Sequence, residues 1–169
     1  LLNAAILAVA AIGQMMVVVT GGIDLSVGSG LALCGMLAGL IYKNGYALHP
    51  LLALLLGGLT GLVLGSINGI LVSKAGVPPI IATLGTMSIY RGLIFITAKG
   101  QWVSAHEMPD SFIHLARGRI LGIPNLIFIT IFFYVVFYYF LTHLKPGREI
   151  YAVGGNAEAA RVAGINVDR

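Results

Sequence analysis

The chain has 169 residues, of which 58% are hydrophobic and only 9% charged, with a formal net charge of +4. Ordinary soluble domains carry about 25% charged residues, so a soluble fold of this size could not cover its own surface. The ten basic residues are scattered along the chain rather than gathered into a patch, which excludes a nucleic-acid binder.

Residues 1–19 are apolar apart from Asn3 and Gln14 and are long enough to span a bilayer. The chain opens on Leu1 inside this run, so a truncated start is expected. A glycine-rich break follows at Thr20-Gly-Gly-Ile-Asp-Leu-Ser-Val-Gly-Ser-Gly30, and Asp24 within it is the only acidic residue among the first 106. A charge at bilayer depth costs at least a few kcal/mol and normally faces a bundle interior or a watery path. The break therefore reads in two ways: as a helix interruption lining a pathway, or as a polar surface turn. In either case Asp24 or Ser26 is a candidate cap for the next helix.

Residues 27–42 form a shorter apolar run, with Gly35 and Gly39 spaced to let another helix come close. Cys34 within it is alone, which leaves no intramolecular disulfide or cysteine cluster and suits a small packing residue. After the polar turn at 43–50, residues 51–72 span again, with Gly57, Gly61, Gly65 and Gly69 on one face as a packing stripe. Asn68 beside that stripe is placed to bond across helices or to line a path.

Pro78-Pro79 precede the next span, residues 80–98, which carries Arg91 seven residues from its end. Snorkelling or pairing inside the bundle is preferred for Arg91 over contact with a solute. Residues 99–122 are the long polar connection, with Trp102 as an interfacial anchor that keeps the stretch against the membrane. His106 and His114 there lie near Glu107 and Asp110 in a spacing that fits no metal motif. Residues 124–142 form a last, aromatic-rich span, and Lys145-Pro-Gly-Arg148 stops it. Asn156 then reads as the N-cap of a short helix, Ala157 to Ala163, closed by Gly164. That helix is too short to persist alone in water and needs a surface to pack on, either a partner's or its own chain's.

Gly22-Ile-Asp-Leu-Ser-Val-Gly-Ser29 resembles the signature of the sugar-type ATP-binding-cassette (ABC) importer permeases: the ribose permease family and its relatives for other pentoses, rhamnose and autoinducer 2. Gly147 to Asn166 is similar to the same family's cytoplasmic loop. The resemblance runs along the whole chain and implies a fragment of a longer permease, cut at both ends. It implies an all-α polytopic transmembrane bundle, a single domain over 1–169 with about five spans here, and a cytoplasmic coupling loop at 143–169.

Basic residues do not settle the orientation, because a cytoplasmic tail leaves five inside (Lys74, Lys145, Arg148, Arg161, Arg169) against four outside (Lys43, Lys99, Arg117, Arg119). The resemblance does settle it. The function implied is a permease subunit moving a sugar or sugar-like solute across the bacterial cytoplasmic (inner) membrane. The implied partners are an ABC ATPase subunit, an extracytoplasmic solute-binding protein and a second permease copy or paralogue. Neither catalytic nor cofactor nor metal residues are expected: no HExxH, Walker A or GxSxG occurs, and the ATP belongs to the ATPase. Candidate pathway residues are Asp24, Ser26, Ser29 and Asn68. Candidate ATPase-coupling residues are Gly154, Gly155, Asn156, Glu158, Ala159, Ala160 and Gly164. The rivals are a branched-chain amino-acid ABC permease, an ion-coupled secondary transporter built around Asp24, and a non-transporting membrane scaffold.

Overall fold

The computed structural model describes residues 2–167. Its elements, in order, are α1 (Leu2–Val19), α2 (Val27–Lys43), α3 (Pro50–Ser73), α4 (Pro79–Ala98), a 3-10 turn (Ala105–Glu107), α5 (Asp110–Arg117), β1 (Arg119–Ile120), β2 (Ile123–Pro124), α6 (Asn125–His143), α7 (Lys145–Gly155) and α8 (Ala157–Val162). Helices α1, α3, α4 and α6 are long and apolar enough to cross a membrane, and α2 is a shorter apolar helix of 17 residues. The all-α, multi-span expectation holds. The only strands among the described residues are β1 and β2, paired antiparallel over two residues each around a tight turn at Leu121-Gly122. Large apolar side chains stay exposed along the long helices, such as Leu62 and Ile96, as hydrocarbon contact requires.

Local chemistry explains the helix limits. Pro50 and Pro79 each sit at the first helical position, where a missing N–H costs nothing and φ is already suitable. His49 adds a cap, its Nδ1 accepting from Leu51 N at 3.4 Å. Asn44-Gly45 ends α2, with Gly45 at φ +82°.

The described residues form two compact units, the chain passing between them after Asp24 and after Gly118. In the unit from Leu25 to Gly118, α2 packs against α3 and α4. Leu33, Ala53, Ala82 and Tyr90 are buried there, and Tyr90 Oη donates to the Leu64 carbonyl at 2.9 Å. Cys34 acts as a packing atom, its Sγ lying 3.7 Å from where a Cβ of Gly61 would stand.

Two glycine expectations need correction here. Among the described residues, Gly61 alone of the stripe has a neighbour at its Cβ position, since Gly57, Gly65 and Gly69 have none within 4 Å. And the nearest neighbours of Gly39 belong to a strap, with Val103 and Met108 each 3.0 Å from its Cβ position, while Gly35 is open. Residues 99–109 cross the C-terminal end of α2, which spacing within α2 alone does not reveal. Lys43 pins the strap by donating to the Trp102 carbonyl at 3.0 Å and pairing with Glu107 at 3.1 Å. Tyr42 stacks at a tilt on Phe112 of α5, with ring centroids 5.3 Å apart.

In the other unit, α6 lies along α1, where Thr130 Oγ1 and Tyr134 Oη reach the carbonyls of Ala5 and Ala8, each at 3.3 Å. The motif read as a helix stop also starts a helix. Leu144 turns the chain in an extended conformation, and Pro146 then occupies the first turn of α7, where proline is tolerated. Gly147 is required because a Cβ there would overlap the Phe140 carbonyl, and a Cβ at Gly154 would overlap the Val19 carbonyl. These two glycines seat α7 across the ends of α6 and α1.

Candidate functional site

The break between α1 and α2 is present. Helix α1 ends with Gly21 N and Gly22 N donating to the Val18 and Val17 carbonyls, both at 2.9 Å, and Gly21 takes φ +79°, which favours glycine. Asp24 is half-buried in the unit that holds α1 and α6, and its backbone carbonyl accepts from Gln14 Nε2 at 3.2 Å.

The structure brings together three of the four candidate pathway residues. Ser26 occupies the N-cap position of α2, yet its side chain makes no capping bond, and Asp24 does not occupy that position. The capping expectation fails because the Ser26 hydroxyl is taken across the helix pair, accepting from Asn68 Nδ2 at 2.8 Å. Ser26 caps instead through its carbonyl, which accepts from Gly30 N and from Ser29 Oγ, both at 2.8 Å. All three side chains are buried, and the Asn68 Oδ1 has no hydrogen-bond partner among the described residues. A buried orphan acceptor costs about 1–3 kcal/mol, so this cluster carries an unmet demand for a donor.

The candidate coupling residues form the end of the other unit. Asn156 is the N-cap of α8, its Oδ1 accepting from Ala159 N at 3.0 Å, and Gly164 follows the helix at φ +82°. Glu158 pairs with Arg161 at 2.8 Å on the surface. Gly154 lies against the Val19 carbonyl and Gly155 is open. Ala160 is buried within the unit, whereas Ala159 is exposed. Every residue of α8 but Ala160 is exposed, Val162 at 90%, and Ala159 and Val162, three positions apart, share an outward face. Val162 went unassigned in the sequence reading. An apolar residue three positions after Ala159 in so short a helix was the available signal.

Among the described residues no group of three His, Cys, Asp or Glu stands together as a metal site. Glu107 is held below the usual carboxylate range, chiefly by the Ser104 N–H donating to it at 2.7 Å and then by Lys43.

All of residues 1–169 match the family described as branched-chain amino acid transport system / permease component. Among curated relatives, the probable ABC transporter permease protein y4mJ of Sinorhizobium fredii is 41% identical over 96% of this chain and 48% of its own length. The ribose import permease protein RbsC of Escherichia coli is 38% identical over 96% of this chain and 50% of its own. The autoinducer 2 import system permease protein LsrC of an Enterobacter species is 37% identical over 97% of this chain and 47% of its own. The chain thus spans about half the length of the curated relatives it matches. No solved structure matches it.

Proposed function

The chain belongs to the branched-chain amino acid transport system / permease component family, and from that premise we propose that it is part of the permease subunit of an ABC importer for a sugar or sugar-like solute. It is a multi-pass protein of the cytoplasmic membrane, with four helices of spanning length and a shorter one. The match to the ribose import permease along almost the whole chain carries the proposal. Relatives named for ribose, D-allose and autoinducer 2 import favour it over an amino-acid or ion-coupled transporter.

Such a subunit does no bond chemistry. It offers two global states, and a separate ATPase subunit biases them by making different contacts with each. In this reading the outward face of α8 is the coupling seat: Ala159 and Val162 are the contacts, and Asn156, Gly155 and Gly164 delimit the helix. Gly154 supports the seat from beneath by letting α7 press on α1. Ser26, Ser29 and Asn68 form part of the pathway wall. Solute arrives from an extracytoplasmic binding protein, and a second permease copy or paralogue completes the path.

The test is uptake. In cells lacking their own ribose permease, the permease containing this chain, with its ATPase and binding protein, restores ATP-dependent uptake of labelled ribose or allose. Failure to take up either sugar, with all subunits present in the membrane, would contradict the proposal.

A further inference from the structure

Arg91 is the only charged residue inside α1 to α4 apart from Lys43 at the last position of α2. It stands seven residues from the C-terminal end of α4, about 10 Å from that end in a helix about 30 Å long, farther than its own side chain reaches. It is exposed, and it has no hydrogen bond or ion pair among the described residues. A bare charge at that depth is costly in hydrocarbon and is normally found facing a partner or a water-filled cavity.

The rotation of α4 is fixed by its buried face, Ala82, Thr83, Thr86 and Tyr90, with Tyr90 tied to α3. Positions three and four apart share a helix face, so Ser88, Arg91 and Phe95 stand side by side on the exposed arc. Gly85 and Gly92 flank them with nothing within 4 Å. Among the described residues no acid stands in a spanning helix: Glu107, Asp110, Glu149 and Glu158 lie outside them, and Asp24 lies in the break.

We infer that Ser88, Arg91 and Phe95 form a solute-binding wall on α4, recognising a polyhydroxylated ring. This rests on the sugar-import reading and adds a subsite to it. The three groups are complementary to such a ring. The guanidinium only donates and meets hydroxyl oxygens. Ser88 already donates its proton to the Leu84 carbonyl at 3.1 Å, which leaves its oxygen to accept from a solute hydroxyl. Phe95 presents an exposed aromatic face to the ring's C–H side.

The experiment uses the assembled transporter in intact cells, in a Cys34→Ser background, with single replacements Ser88→Cys, Arg91→Cys and, as an exposed apolar control off that arc, Ile89→Cys. A membrane-impermeant charged thiol reagent labels the first two several-fold faster than the third, and ribose slows that labelling. Arg91→Leu raises the half-saturating ribose concentration about tenfold or more, as the loss of a charge-assisted hydrogen bond requires, while Arg91→Lys loses less. Equal, slow labelling at all three positions, or labelling that neither ribose nor allose affects, overturns the inference. Wild-type uptake of the same sugars is measured alongside. Intact uptake without differential labelling sinks this subsite alone, whereas absent wild-type uptake sinks the sugar reading beneath it.

Discussion

Asn68 of α3 donates through Nδ2 to the Ser26 hydroxyl at the start of α2, 42 positions earlier and 2.8 Å away. The bond closes the start of α2 onto the C-terminal third of α3 at the point where the chain leaves the glycine break. Replacing Asn68 by Ala is expected to destabilise the protein by about 1–2 kcal/mol, a lost hydrogen bond with a buried hydroxyl left behind. Thermal unfolding in detergent measures it, and an unchanged midpoint would show that the bond does not hold the pair together.

Adjacent glycines in α7 should respond oppositely. Gly154→Ala puts a methyl into the Val19 carbonyl and is expected to cost about 1–3 kcal/mol through forced displacement of the helix. Gly155→Ala meets open space in a helical position and is expected to gain up to about 1 kcal/mol. Melting temperatures of the two variants decide the point, and equal shifts would contradict the packing of α7 on α1.

The strap over α2 should be sensitive to acid in one direction only. Glu107 has a lowered folded-state pKa, so its contribution is present above the ordinary carboxylate value of about 4.3 and is lost as pH falls through the lower folded value. Trp102, the only tryptophan of this chain and 80% exposed, shares Lys43 with Glu107 and can report loosening by fluorescence. The wild type is expected to show a change below about pH 4 that Glu107→Gln lacks. A change between neutrality and pH 5 would point to another group.

The spans were legible because apolar length and proline position act locally. Runs read at 51–72 and 80–98 became Pro50–Ser73 and Pro79–Ala98. The break and the Asn156 cap were legible for the same reason. Helix α7 was not, because Pro146 and Gly147 carry opposite meanings at a helix end and in a first turn, and only the Phe140 carbonyl decides between them. The strap on Gly39 and the open stripe at Gly65 and Gly69 also lay beyond the sequence, since spacing shows which glycines share a face and not what covers it. At Ser26 residue type misled: a good capping hydroxyl was diverted by a partner 42 positions away.

The coupling seat on α8 is the account's central claim, and ATP hydrolysis by the assembled transporter tests it most directly. Hydrolysis is measured with and without ribose-loaded binding protein, for the wild type, Ala159→Arg and Ala160→Arg. Ala159 is exposed and Ala160 is buried, so the first variant leaves the fold intact while the second disrupts the end of the unit. The account predicts that Ala159→Arg, with a wild-type melting temperature, loses solute-stimulated hydrolysis about tenfold or more, because a charge forced into an enclosed seat costs well over 1.4 kcal/mol. Wild-type stimulation in Ala159→Arg would contradict it.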